Sequence, residues 1–255
     1  MITLNQQIQA AADLILQSRN AVALTGAGSS TLSGIPDFRS PGSGLWNRVN
    51  PMEVASIMAF RQRPQDFYDW VRPLTKQVLN AKPNPGHFAL ARLEEAGKLK
   101  VIITQNIDGL HQAANSKNVL EVHGHIREVT CVRCYKIKDA GPVLDRFLAD
   151  GNVPHCECGG ILKPNVILFG EQLPVQTLLQ AKAAAQDADL MLIAGSSLEV
   201  VPIADLPYEA LRRGAKIVIV NYQETHIDSR ADVVIHRDLT EVLPKIADLV
   251  IEGLP

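Results

Sequence analysis

Five short apolar runs constrain the fold of this chain more than any other feature of its sequence. They are rich in β-branched residues, lack polar alternation and lie at 21–24, 101–103, 190–194, 216–220 and 231–235. Such runs are typical of strands buried on both faces of a parallel sheet that helices cover. Apolar residues at helical spacing separate the runs, over 4–15, around 88–93, and over 176–186, 203–213 and 240–251. The alternation predicts a doubly wound α/β fold.

Two stretches interrupt this alternation. Residues 35–85 hold seven prolines, with short helical patterns around 52–60 and 65–79, and are expected to form an inserted or mobile lobe. Residues 122–165 contain all four cysteines and form a second predicted insertion. The core of what we expect to be a single domain, 1–255, then consists of 1–34, 86–121 and 166–255.

The composition excludes several classes of protein. Apolar residues make up 46% of the chain and charged residues 20%, which is typical of a soluble globular protein. The 25 basic and 27 acidic residues lack the positive excess that drives binding to nucleic acid. We find neither a signal-peptide pattern nor an apolar stretch long enough to span a membrane, and we expect a cytoplasmic protein.

The cysteines form two close pairs, Cys131/Cys134 and Cys156/Cys158. Four thiolates on two such knuckles predict a tetrahedral structural zinc site without an open position. The second pair is one residue shorter than the usual C-x2-C knuckle, so His155 is an alternative fourth ligand. A redox pair of the thioredoxin type is the rival interpretation, but neither pair lies at a predicted strand-to-helix junction.

A glycine-rich turn, Gly26-Ala27-Gly28, follows the first predicted strand. Such a turn at the carboxyl end of a strand lets backbone amides approach a pyrophosphate. The dinucleotide fingerprint of hydride-transfer enzymes is incomplete, because Thr31 replaces its third glycine and no acidic residue follows at the right distance. A turn needed only for packing remains an alternative. The segment 35–40 comes next, with an acid, an aromatic ring and an arginine able to bracket a nucleotide.

Polar side chains also follow the second run. Gln105, Asn106 and Asp108 would lie where ligands bind in this architecture and can hydrogen-bond a ribose or a carboxamide. A turn that caps the next helix is the alternative for Asp108. His123 is a candidate general base, with a core histidine and a zinc ligand as alternatives.

These segments together resemble the sirtuins, the Sir2-type NAD-dependent protein deacylases, of the bacterial or archaeal type. The matching pieces occur in family order over nearly the whole chain: 26–30, 33–40, 104–111, 122–124, the four cysteines, 164–171, 195–198 and 220–221. The resemblance implies a Rossmann-like core, an inserted zinc-ribbon module and a flexible helical lobe that binds the cofactor. It also implies two small-molecule requirements, NAD as co-substrate and a structural zinc ion.

The resemblance further implies the reaction, which is removal of acetyl or other acyl groups from lysine side chains of proteins. The acyl oxygen attacks C1′ of the nicotinamide ribose, nicotinamide leaves, and the acyl group moves onto ADP-ribose. The implied catalytic residues are His123, as general base on a ribose hydroxyl, and Asn106.

The resemblance assigns the remaining site residues by position. NAD would contact Gly26, Ala27, Gly28, Ser30, Thr31, Asp37, Phe38, Arg39, Gln105, Asn106, Asp108, Gly195, Ser196, Ser197 and Asn221. The acyl-lysine protein would bind as an extended strand beside a strand over 166–169, with contacts from Val166, Ile167, Phe169, Gly170, Glu171 and Val200. Zinc would be bound by Cys131, Cys134, Cys156 and Cys158.

Two positions depart from family patterns. Ser29 replaces the usual isoleucine after Gly-Ala-Gly. The branch of the family that prefers succinyl- and malonyl-lysine carries a tyrosine and, three residues later, an arginine. Here Tyr68 is followed at that spacing by Val71, and Arg72 is one place off, so we predict a preference for neutral acetyl-lysine.

Other functions remain as alternatives. They are a desuccinylase or demalonylase, a protein mono-ADP-ribosyltransferase on the same fold, an NAD-dependent oxidoreductase, and a zinc-ribbon binding module without activity.

Overall fold

The computed structural model describes residues 3–38, 40, 42, 44–47 and 49–254. Its helices are α1 (Leu4–Gln17), α2 (Pro51–Val54), α3 (Ile57–Gln62), α4 (Pro64–Asn80), α5 (Pro85–Glu95), α6 (Leu110–Ala113), α7 (Gly141–Asp150), α8 (Val175–Asp187), α9 (Leu206–Arg212) and α10 (Leu239–Glu252). Its strands are β1 (Ala21–Thr25), β2 (Val101–Thr104), β3 (Val119–Glu121), β4 (Gly124–Cys131), β5 (Ile137–Asp139), β6 (Leu162–Val166), β7 (Leu190–Ala194), β8 (Lys216–Val220) and β9 (Val233–Ile235). Within these described ranges, each helix is too short or too polar to cross a membrane.

The main sheet has six parallel strands in the order β3-β2-β1-β7-β8-β9. Alternate side chains of each strand enter opposite cores. Ala21 and Ala23 of β1 pack with α1, α5 and α10, whereas Val22 and Leu24 pack with α8 and α9. Burial on both faces explains the apolar runs and confirms the doubly wound fold. The edge strand β3 is short and only half-buried, so no apolar run marks it.

The two predicted insertions share one hydrophobic core. Phe67 and Tyr68 of α4 pack with Phe147 of α7 and with Cys131 and Leu162 of a small antiparallel sheet, ordered β5-β4-β6. The rings of Tyr68 and Phe147 lie 4.9 Å apart, and the Tyr68 hydroxyl donates a hydrogen bond to the Leu162 carbonyl. The helical lobe and the cysteine module are therefore one packed unit beside the main sheet.

The strand predicted over 166–169 is wrong beyond its first residue, because β6 ends at Val166. From there the backbone forms hydrogen bonds with other parts of the chain. The amide of Ile167 donates to the carbonyl of His123, and the amide of Phe169 donates to the carbonyl of Ala55. Phe169 is thereby tied to the helical lobe rather than to a continuing strand.

Candidate active site

A cleft of about 1040 Å³ opens at the carboxyl ends of β1, β2 and β7, with the helical lobe on its other side. Every residue predicted to be catalytic or to contact NAD or peptide lines it, except Arg39, which lies outside the described residues. The lining contains Gly26, Ala27, Gly28, Ser30, Thr31, Asp37, Phe38, Gln105, Asn106, Asp108, His123, Val166, Ile167, Phe169, Gly170, Glu171, Gly195, Ser196, Ser197, Val200 and Asn221. The fold thus brings together segments that are distant in the sequence.

The glycine-rich turn after β1 crosses the turn after β7 at close range. The amide of Gly28 donates to the carbonyl of Gly195 at 2.9 Å. A Cβ on Gly26 or Gly28 would lie 2.9 Å from that carbonyl oxygen, and a Cβ on Gly195 would lie 2.3 Å from the Ser29 nitrogen. Packing of the two turns therefore by itself requires glycine at these positions. The same contact forms the wall of the cleft.

Asn106 and Asp108 meet this turn from the end of β2. The side-chain amide of Asn106 donates to the carbonyl of Gly26 and to the Ser30 hydroxyl, both at 3.1 Å. The Ser30 hydroxyl donates to Oδ2 of Asp108 at 2.7 Å, and Oδ1 accepts the amide of Leu110 at 2.9 Å. Burial raises the pKa of Asp108. The carboxyl group thus accepts a hydrogen bond from the first amide of α6 and also lines the cleft.

His123 lies across the cleft, with its Nδ1 atom 3.1 Å from the carbonyl oxygen of Gln105. A carbonyl can only accept, so Nδ1 carries the proton in this contact. The Gln105 side chain donates in turn to the Ser196 hydroxyl at 2.9 Å. These contacts orient the imidazole at the cleft wall.

A buried polar cluster beneath the turn was missed in the sequence. The rings of His87 and His111 lie 4.9 Å apart, and Nε2 of His111 lies 3.0 Å from the Thr25 hydroxyl. Burial lowers the pKa of His87 to about 4 and that of His111 to about 3. Both rings are therefore neutral at physiological pH. The cluster combines residues from β1, α5 and α6, so no local sequence pattern predicts that these residues meet.

Helix α4 gives the cleft an apolar wall that the sequence analysis also did not identify. Phe67, Trp70, Val71, Leu74 and Val78 line the cleft at helical spacing. The regular apolar spacing in 65–79 predicts a helix with one apolar face. The spacing does not show that this face lines a cleft rather than the protein core.

Tyr68 and Arg72 lie on other sides of α4. The Tyr68 hydroxyl is bound in the core shared with the cysteine module, where burial raises its pKa. The Arg72 guanidinium donates to the carbonyl of Leu148 at 2.6 Å, at the end of α7. Neither side chain lines the cleft.

The segment after β6 that is predicted to contact the substrate peptide is held by a partly buried ion pair. Nζ of Lys163 lies 2.9 Å from Oε2 of Glu171, and the same carboxylate oxygen accepts the amide of Leu168 at 2.8 Å. The loop that carries Phe169 and Gly170 is therefore fixed at both ends.

The four cysteines form a compact group of sulfur atoms, all within 4.8 Å of one another. The Sγ atoms of Cys131 and Cys158 are 3.5 Å apart and those of Cys134 and Cys156 are 3.9 Å apart. Tetrahedral zinc with Zn–S bonds of about 2.3 Å needs sulfurs about 3.8 Å apart, so these residues fit the ion. His155 is not in this group among the described residues, and its Nδ1 lies 2.7 Å from the carbonyl oxygen of Val153.

The surroundings of Cys131 favour its metal-binding thiolate form, whereas the pKa values of Cys134 and Cys156 are raised. Backbone amides of Cys134 and Arg133 point at the Cys131 sulfur and lower the pKa of that thiol to about 6.

Comparison with known proteins agrees with this geometry. The model of the Sir2 family matches residues 26–202. An NAD-dependent protein deacetylase of Sulfurisphaera tokodaii is 46% identical over 93% of this chain and 94% of its own. A solved Sir2 enzyme has a TM-score of 0.92 at 43% identity, covering 98% of this chain and 99% of its own. A Sir2 variant solved with a deacetylated p53 peptide and 3′-O-acetyl-ADP-ribose has a TM-score of 0.90 at 41% identity, covering 96% and 98%. This chain belongs to the Sir2 family.

Proposed function

We propose that this protein is an NAD-dependent protein-lysine deacetylase, which releases nicotinamide and transfers the acyl group to ADP-ribose. One observation carries the proposal: His123, Asn106 and the glycine-rich turn converge on one cleft, although they come from separate segments. The relatives named above act as deacetylases or contain a deacetylated peptide with acetyl-ADP-ribose, which supports the same chemistry here.

His123 acts as the general base in this proposal. Its Nδ1 atom donates to the carbonyl of Gln105, which orients the ring. In this role Nε2 accepts a proton from a ribose hydroxyl of NAD. Asn106 and Asp108 lie at the end of the same cleft wall, where they bind the nicotinamide ribose and the carboxamide. The backbone amides of the glycine-rich turn bind the pyrophosphate, and the segments after β7 and β8 bind the adenosine half. The cofactor residues assigned by the resemblance, Arg39 included, complete this proposed site.

The acyl group is neutral in this proposal. An acidic acyl group needs a cation in the cleft, and a paired arginine is its usual partner. Arg72 instead donates to a carbonyl of α7, and the wall that α4 contributes is apolar. Tyr68 has its hydroxyl bound to the cysteine module. These contacts support acetyl-lysine over succinyl- or malonyl-lysine.

The protein substrate binds as an extended strand between the loop after β6 and the segment around Val200. Both line the cleft, which supports recognition through the peptide backbone and one acyl-lysine. The four-cysteine group binds a structural zinc ion with every position filled by protein. Reduced cysteines of this kind support a cytoplasmic location. The proposed division into core, lobe and zinc module follows the boundaries given above.

The test measures nicotinamide release from NAD with an acetyl-lysine peptide and with a matched succinyl-lysine peptide. We expect turnover with the acetyl peptide, and a loss of at least about 100-fold in His123→Ala, since the variant lacks the general base. His125→Ala is the matched control, because His125 lies two residues away but does not line the cleft. Its activity should stay near that of the wild type.

Three outcomes contradict the proposal. Equal losses in the two histidine variants would make the effect structural. Faster turnover of the succinyl peptide would overturn the neutral preference. Radiolabel from NAD retained on an acceptor protein, without acylated ADP-ribose, would identify an ADP-ribosyltransferase instead.

A further inference from the structure

The Ser29 side chain occupies a buried position directly behind the cleft wall. It is 3% exposed and is absent from the lining, whereas its neighbours Gly28 and Ser30 line the cleft. Its hydroxyl donates to the carbonyl of Gly26 at 2.7 Å, which closes the turn on itself. With its only proton used there, the Ser29 oxygen can act toward any other group only as an acceptor.

That other group is the side-chain amide of Asn106, whose Nδ2 lies 3.0 Å from the Ser29 oxygen. The Gly26 carbonyl, at 3.1 Å, is also an acceptor, so the amide must turn its NH2 group toward this side. The third neighbour is the Ser30 hydroxyl, whose proton goes to Asp108. Three acceptors therefore surround one NH2 group, and Oδ1 is turned away from them.

The three acceptors differ in what happens to them when a ligand enters. Gly26 and Ser30 line the cleft, as does Asp108, to which Ser30 donates, so a bound ligand can change the hydrogen bonds of these residues. Ser29 is shielded from the cleft, and its backbone carbonyl is held by the side-chain amide of Asn84 at 2.8 Å. The Ser29 contact with Asn106 thus remains when the contacts on the cleft side are exchanged.

We propose that Ser29 is a positioning residue for Asn106: its hydroxyl fixes the orientation of the amide and presents the Asn106 carbonyl oxygen to the nicotinamide ribose. An isoleucine at this position, as in the usual family pattern, has no acceptor for the amide. The inference rests on the proposed function, because it assigns Asn106 to the site where nicotinamide is released.

The test compares Ser29→Ala with Ser33→Ala in single-turnover nicotinamide release. Ser33 belongs to the same helical turn and accepts a hydrogen bond from Asn84, but it neither contacts Asn106 nor lines the cleft. Loss of one hydrogen bond predicts a rate about fivefold lower in Ser29→Ala, with the KM values for NAD and peptide changed less than about twofold. Ser33→Ala should release nicotinamide at the wild-type rate.

A double-mutant cycle with Asn106→Ala separates positioning from general destabilisation. If Ser29 acts through Asn106, Ser29→Ala has no further effect on the residual rate in the Asn106→Ala background. The same fivefold loss in both backgrounds, or an equal loss in Ser33→Ala, would overturn the inference.

The same cycle is also measured by urea unfolding, which requires no activity. Coupling of Ser29 and Asn106 in unfolding supports the contact even if the wild type releases no nicotinamide, in which case the proposed function fails by itself. Additive effects on unfolding would overturn the contact.

Discussion

Gly195→Ala tests how the two turns that meet at the cleft depend on each other. Gly195 has a φ of +63°, a left-handed conformation that costs alanine about 1–2 kcal/mol. The added Cβ would also lie 2.3 Å from the Ser29 nitrogen and 2.7 Å from the Gly28 carbonyl carbon. Both are backbone atoms and cannot rotate away, so one of the two turns must move.

The expected loss of stability in Gly195→Ala follows from these contacts. The Cβ needs at least about 3 Å, and the movement breaks the hydrogen bond from the Gly28 amide to the Gly195 carbonyl, worth about 1 kcal/mol. We expect the free energy of unfolding to fall by about 2–3 kcal/mol and the melting temperature by about 5–10 °C. Moving the wall by a large part of an ångström should lower kcat/KM for NAD by about 10- to 100-fold.

Gly214→Ala provides the matched control. Gly214 has a φ of +86°, but a Cβ there meets no atom within 4 Å. Both variants are strained by a positive φ, but only Gly195→Ala also displaces a turn. Calorimetry measures the stability of each variant, and nicotinamide release measures its activity. Gly214→Ala should lose about 1–2 kcal/mol and keep its activity. Equal stability losses in the two variants, or full activity of Gly195→Ala, would refute the steric argument.

Three further predictions concern the walls of the cleft and the core beneath it. Val71→Arg should raise the ratio of succinyl to acetyl turnover at least about tenfold, because it puts a cation on the wall that α4 contributes; an unchanged ratio would contradict this arrangement. Glu171→Gln should lower the free energy of unfolding by about 1–3 kcal/mol and raise the peptide KM, since it leaves Lys163 without its anion; parallel peptide and NAD titrations check it. Burial holds the His87 pKa at about 4, so the unfolded state binds more protons between pH 6.5 and 4 and stability falls as the pH is lowered. Urea unfolding at pH 7 and pH 5 should show a smaller loss in His87→Asn than in the wild type.

The parts of the fold that follow from local pattern were predictable from the sequence. The five apolar runs became β1, β2, β7, β8 and β9, because each must be apolar on both faces of a covered sheet. The three residues of β3 were not predicted, since an edge strand that is half-buried needs no such run. The strand expected over 166–169 does not continue beyond Val166 for another reason: the amide of Phe169 donates to Ala55 of the helical lobe instead of pairing with β4.

The cleft residues likewise divide into those that the sequence predicts and those that only the fold reveals. Gln105 could be named because the architecture places ligands at strand ends, and Gly195 could be named through the resemblance to the sirtuins. The apolar wall formed by α4 and the buried pair His87 and His111 could not, because each depends on which distant segment packs against it. The hydroxyl of Ser29 belongs to this second class, since only the fold shows that it contacts Asn106.

The cysteine group and the cleft are connected through packing. Cys131 belongs to the same core as Phe67 and Tyr68, and Phe67 also lines the cleft. A site with four thiolate ligands has no open position for a substrate, so a zinc ion there would stabilise this core rather than bind a reactant. Helix α4 lies between the two sites, with Tyr68 bound to the module on one side and Val71 facing the cleft on the other. The two insertions are therefore packed as one element, because the wall that α4 contributes to the cleft is held in place by the cysteine module.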